Sequence, residues 1–183
     1  MEEEANPVKD FVFDYISKSE ETIQKLITEQ KYSEIIKNVT SHCYDDIINL
    51  GNKSEVLATL ATGLLHFLLT NALLTSQRKI IHKDTEIDIV IPDLKTLEKD
   101  PKKTLIICIP KTNEKKTIEQ KILELEHIQP EKQNIWLVLS QKQDFKNKSY
   151  VIDKGENSFS KIIFDIAKFV NIQGQDKLKI LRV

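Results

Sequence analysis

Two stretches of the chain decide its fold: Thr85-Glu86-Ile87-Asp88-Ile89-Val90-Ile91 and, after a polar loop, Leu105-Ile106-Ile107-Cys108-Ile109-Pro110-Lys111. In the first, isoleucines alternate with mostly polar residues, which predicts a strand with Ile87, Ile89 and Ile91 on one buried face. The second begins as a nearly continuous apolar run, which is typical of a strand buried on both faces. The two stretches therefore predict neighbouring strands of one sheet.

Helical and strand patterns continue on both sides of this pair. Upstream, apolar residues at helical spacing predict two amphipathic helices within residues 7–50 and a more apolar helix that begins at Asn52 or Ser54. A short strand near residues 79–82 and a turn at Lys83-Asp84 come next. Downstream, we expect a charged helix to about His127, a buried strand over 135–139, an amphipathic helix from Ser158 and an edge strand over 178–183.

These elements predict an α/β fold with a mixed central sheet in α-β-β-β-α-β order, flanked by helices and preceded by an N-terminal helical pair. Two fully apolar strands joined through a helix favour a parallel pair with a right-handed crossover. We divide the chain into an N-terminal helical extension, 1–50, and an α/β core, 51–183.

Composition excludes several classes of protein. The chain has 183 residues, a formal net charge of −1, two cysteines and four glycines. The four glycines are scattered, so the chain cannot form the glycine-rich loops that bind nucleotide phosphates or the nucleophile elbow of serine hydrolases. Cys43 and Cys108 lack the spacing of a zinc site. The acidic N-terminus and the interrupted apolar segment 56–74 favour a cytoplasmic protein over a secreted or membrane-spanning one.

The order of elements over roughly residues 54–140, together with the two quoted stretches, resembles the PD-(D/E)xK nuclease superfamily, the restriction-endonuclease-like fold. In that family an aspartate on the second strand and an ExK triplet on the third strand bind a divalent metal, and the lysine assists hydrolysis. The resemblance implies that Asp88 is a catalytic residue and metal ligand, that Lys111 is the catalytic cation and that Mg²⁺ is the cofactor of an active form.

Ile109 departs from the family pattern. It lies two residues before Lys111, where the family has the carboxylate of ExK, and an isoleucine cannot bind magnesium. Glu86 is on the same predicted strand face as Asp88 and is one candidate to replace the missing acid. The helix after the third strand offers Glu119 or Glu124, of which we favour Glu124, and Glu55 is a further candidate.

Three functions follow as expectations. The first is a nuclease-like pseudoenzyme, with impaired or lost catalysis, that acts as a nucleic-acid-binding or scaffolding subunit in DNA or RNA processing. The second is an active Mg²⁺-dependent endonuclease using Glu86, Asp88 and Lys111. The third is a homo-oligomeric protein-interaction module, such as a homodimer built through the first two helices. Candidate contacts to nucleic acid are Arg78, Lys79, Lys102 and Lys103.

Overall fold

The computed structural model describes residues 6–155 and 157–180, with side chains for 6–155 and 157–173. Its helices are α1 (Pro7–Lys18), α2 (Glu20–Thr28), α3 (Tyr32–Ile48), α4 (Lys53–Asn71), α5 (Leu94–Lys99), α6 (Lys115–Glu126) and α7 (Ile162–Ile180). Its strands are β1 (Gln77–His82), β2 (Thr85–Ile91), β3 (Leu105–Cys108), β4 (Ile135–Leu139) and β5 (Ser149–Val151).

One mixed sheet has the strand order β1-β2-β3-β4-β5. β1 and β2 pair antiparallel, as do β2 and β3, whereas β3, β4 and β5 run parallel to one another. The helix α6 connects the parallel pair β3 and β4. The predicted fold class and mixed sheet are confirmed, and the α-β-β-β-α-β order holds with one addition: the short helix α5 lies between β2 and β3, where a polar loop was predicted.

Local sequence explains where two of these elements begin. The Asn52 side chain accepts hydrogen bonds from the backbone N–H groups of Ser54 and Glu55, so it caps α4. Lys83 and Asp84 have φ angles of 49° and 60°. Two consecutive left-handed residues form the tight hairpin turn whose twist suits neighbouring antiparallel strands, here β1 and β2.

The sheet separates two apolar cores. The larger core lies between the sheet and helices α1–α4 and α7, and the smaller core lies beneath α6 on the other face. Ile89 and Ile91 belong to the larger core, but Ile87 packs with Val90 in the smaller one. The prediction of all three isoleucines on one face is therefore wrong for Ile87. The backbone is distorted at this point, because Lys79 on β1, between the residues paired with Ile87 and Ile89, has a φ of 51°.

The N-terminal region contains three helices where the sequence predicted two. The first predicted helix is interrupted at Ser19, where α1 ends and α2 begins. The buried apolar residues of these helices lie in the same core as α4 and the sheet. Phe13 on α1 is exposed, and the homo-oligomer interface stays a prediction. This core crosses the predicted boundary at residue 50. The division into 1–50 and 51–183 stays a prediction.

The C-terminal end differs from expectation. The helix α7 continues to Ile180, so the predicted edge strand is wrong for residues 178–180, and 181–183 lie outside the described residues. None of the helices in the described part of the chain has the length and apolar character needed to cross a membrane.

Candidate functional site

A cavity of about 440 Å³ opens where β2 and β3 separate, and we call it the Asp88 cavity. The two strands pair from Ile91 to Ile89 on β2, and Glu86 and Asp88 lie beyond the last pair. The sequence predicted that Glu86, Asp88 and Lys111 come together, and all three line this cavity. Glu55, from the first turn of α4, and Lys121, from α6, line it as well.

Asp88 has a structural contact in this cavity. Its Oδ2 accepts a hydrogen bond of 2.7 Å from the backbone N–H of Ile109, just after the end of β3. Burial raises the pKa of the Asp88 carboxyl group, and this hydrogen bond and the nearby charges of Lys121 and Lys111 oppose that shift. The Asp88 carboxylate therefore accepts the N–H of Ile109, a backbone donor that lies beyond the last β2–β3 pair.

The hydrogen bond of Asp88 leads to a prediction about stability. Asp88→Ala leaves the buried N–H of Ile109 without a partner and should lower the free energy of unfolding by about 1–3 kcal/mol at pH 7. Asp88→Asn keeps an oxygen acceptor and removes a charge that burial disfavours, so it should be at least as stable as the parent. Urea unfolding followed by the fluorescence of Trp136, the single tryptophan, measures both. Equal losses in the two variants would contradict this role.

Lys121 was missed by the sequence analysis. Its Nζ donates a hydrogen bond of 2.6 Å to the backbone oxygen of Glu86. On α6, the buried residues Ile118, Ile122 and Leu125 form the inward stripe, and Lys121 is adjacent to it at helical spacing. A lysine on the apolar face of a predicted helix was the signal available in the sequence.

In the described part of the chain, the carboxylates around Asp88 are not gathered into a group that could hold a metal ion. A hard cation takes several oxygen ligands, usually from more than one carboxylate. Across residues 6–155 and 157–173, no three His, Cys, Asp or Glu side chains come together as a group that could hold a metal ion. Glu124 does not line the Asp88 cavity, and its Oε1 accepts from Gln120 on the same helix. Glu119 faces Lys115 at 4.0 Å along α6.

The loop that carries Lys111 is held by a polar network. The Ser140 hydroxyl lies 2.7 Å from Asn113 Oδ1 and 3.2 Å from the Ser54 hydroxyl, and Gln143 Nε2 donates to the Asn113 backbone oxygen. These contacts connect the end of β3, the end of β4 and the start of α4. They fix the position of the loop relative to the Asp88 cavity.

A second cavity of about 430 Å³, the Arg78 cavity, adjoins the first because Lys111 lines both. Four cationic residues line this cavity: Lys9, Arg78, Lys79 and Lys111. The rest of its lining is uncharged and consists of Asn6, Thr59, Thr62 and Gly63. Burial, and then the charge of Arg78, lower the pKa of the nearby His66 on α4. Such a cavity favours an anion electrostatically.

The four predicted nucleic-acid residues fall into two separate places. Arg78 and Lys79 line the Arg78 cavity beside Lys111. Lys102 and Lys103 precede β3, whereas Lys111 follows it, so they lie towards the opposite end of the sheet. Lys103 Nζ is 2.9 Å from the Asp100 carboxylate. Arg78 and Lys79 thus line the same cavity as Lys111, whereas Lys102 and Lys103 do not.

Comparison with known proteins gives one informative match. No protein-family model matches the chain, and no curated protein does. Among solved structures, the chain is similar to the restriction endonuclease PspGI in a complex with its substrate DNA, with a TM-score of 0.62. The match covers 91% of this chain and 93% of that chain at 14% sequence identity. At this identity the similarity is one of fold.

Proposed function

Because this chain has a restriction-endonuclease-like fold, we propose that it binds nucleic acid, as a binding or scaffolding subunit in DNA or RNA processing with impaired or lost cleavage. The similar structure is that of an endonuclease bound to DNA, which makes duplex DNA the first ligand to test.

The observation that carries this proposal is the cationic lining of the Arg78 cavity. Arg78, Lys79 and Lys111 converge there although the whole chain has a net charge of −1. Sequence-independent affinity for nucleic acid comes largely from cations that contact phosphates, and an arginine with adjacent lysines provides such contacts. A local cluster of this kind supports binding despite the balanced overall charge.

Two features support impaired cleavage. Ile109, where related nucleases have a carboxylate, is almost fully buried and packs in the larger core. Asp88 uses one carboxylate oxygen to accept the Ile109 N–H. Glu55 and Glu86 line the same cavity, but within residues 6–155 and 157–173 they do not come together with Asp88 as a group that could hold a metal ion.

The proposal predicts a defined response to salt. Three phosphate contacts through Arg78, Lys79 and Lys111 give a slope of about −2.7 for log affinity against log salt, so a fourfold rise in salt lowers affinity by roughly 40-fold. Fluorescence anisotropy with a labelled duplex of about 20 base pairs, with duplex RNA in parallel, measures this slope. A flat response, or no binding at low salt, would exclude this role.

An active metal-dependent nuclease is the second candidate, because Glu55, Glu86, Asp88 and Lys111 line one cavity. If it is correct, the protein should cleave DNA or RNA in Mg²⁺ or Mn²⁺, and Asp88→Ala and Lys111→Ala should each lower the rate by at least about 100-fold. Gel analysis of plasmid and RNA substrates measures cleavage. Cleavage that survives both substitutions would indicate a contaminating nuclease, and no cleavage in either metal favours the binding role.

A further inference from the structure

Lys121 and Asp88 each make a hydrogen bond to the backbone at the point where β2 and β3 separate. Asp88 Oδ2 accepts the N–H of Ile109 from the β3 side, while Lys121 Nζ donates to the Glu86 backbone oxygen on the β2 side. Both contacts lie beyond the last β2–β3 pair, Ile89 with Ile107. The ammonium group is thus fixed at the cavity by a hydrogen bond to the backbone.

The cavity therefore contains its own cations. Lys111 and Lys121 line it together with three carboxylates, those of Glu55, Glu86 and Asp88, and both lysines favour the ionised form of Asp88. An added divalent ion would meet two ammonium groups beside these carboxylates, of which Asp88 already has a backbone partner. By Coulomb's law, the two ammonium groups offset the charge of the carboxylates as a bound cation would, and they repel a divalent cation and attract a phosphate.

We propose that the Lys121 ammonium takes the place of the divalent cation in the Asp88 cavity, so that this site binds a phosphodiester of nucleic acid without a metal ion. This inference rests on the proposed nucleic-acid binding and deepens it. Lys121 and Lys111 face one phosphate in the Asp88 cavity, and the Arg78 cavity takes a neighbouring phosphate on the same backbone, because Lys111 is common to both.

The first test uses the unmodified protein and a labelled DNA duplex in EDTA, in Mg²⁺ and in Mn²⁺ at constant ionic strength. We expect affinities that agree within about twofold in the three buffers, because the cations of the site belong to the protein. A rise of tenfold or more with either metal that is lost in Asp88→Asn would show that a metal is the required cation and would overturn the inference.

The second test compares two lysines of α6. Lys121→Met keeps most of the side-chain volume and should lower affinity in EDTA by about fivefold and the salt slope by about one, as expected for the loss of one phosphate contact. Lys116→Met removes the same charge from an exposed position that does not line the cavity and should change affinity by less than about twofold. Lys121→Arg should retain most of the affinity because it retains the charge.

The outcomes separate the two proposals. If Lys121→Met behaves like Lys116→Met while charge reversal at Arg78 and Lys79 still abolishes binding, the role of Lys121 is refuted and nucleic-acid binding stands. If the unmodified protein binds neither duplex DNA nor duplex RNA at low salt, the proposed function itself is refuted. Should Lys121→Met fail to fold by circular dichroism, the comparison of EDTA with metal in the unmodified protein still decides the question.

Discussion

Replacing Arg78 and Lys79 together with glutamate is expected to lower the affinity for duplex DNA by roughly 100-fold at low salt. Both side chains line the Arg78 cavity and both residues are exposed, so the substitution should leave the fold intact. The loss of two phosphate contacts should also reduce the salt slope by about two. Anisotropy titrations at several salt concentrations measure both effects.

The matched control for this variant is Lys102→Glu with Lys103→Glu. It makes the same change in net charge at the other end of β3, where Lys103 already pairs with Asp100. If binding uses the Arg78 cavity, the control should lose less than about fivefold in affinity at about 0.1 M salt, because charges further away than the Debye length of about 10 Å are largely screened there. Equal losses in the two double variants would mean that affinity follows total charge and that no specific surface is used.

Replacing Phe159 with alanine should give the largest loss of stability, about 3–5 kcal/mol. Phe159 is fully buried in the short 3₁₀ turn Ser158–Lys161 that precedes α7, and it belongs to the larger core. Its removal leaves a cavity in the core between α7 and the rest of the molecule. For a protein of this size the melting temperature should fall by about 6–20 °C, which differential scanning calorimetry measures.

Phe164 provides the control for Phe159. It is the same residue type five positions later, but 72% of it is exposed on α7. Phe164→Ala should therefore change stability by no more than about 0.5 kcal/mol. A comparable loss at both positions would contradict the description of the core around α7.

The strands around Asp88 could be predicted because their sequence patterns are strong. The continuous apolar run of β3 and β4 reflects burial on both faces, and the parallel pairing of these strands with α6 between them follows from that. The meeting of Glu86, Asp88 and Lys111 was expected from the resemblance to the PD-(D/E)xK nucleases together with the period of the two strands. Of these features, only the apolar patterns of the strands depend on local sequence alone.

What could not be predicted depends on local backbone conformation or on contacts between distant residues. Ile87 packs with Val90 next to Lys79, which has a left-handed φ on the neighbouring strand. The alternation of apolar and polar residues in the sequence does not reveal this backbone conformation. The hydrogen bond of Lys121 to Glu86 joins residues 35 positions apart. The separation of Lys102 and Lys103 from Arg78 depends on which end of β3 each residue reaches, a property of the assembled sheet.

Lys111 serves two neighbouring surfaces, and this affects how its variants must be interpreted. A slower reaction after Lys111→Ala would combine weaker attachment of the substrate with any defect in the chemical step. Asp88 lines the Asp88 cavity and is not part of the Arg78 lining. Single-turnover rates at saturating substrate would therefore separate the two contributions, and a rate deficit that persists at saturation for Asp88→Asn would report on chemistry alone.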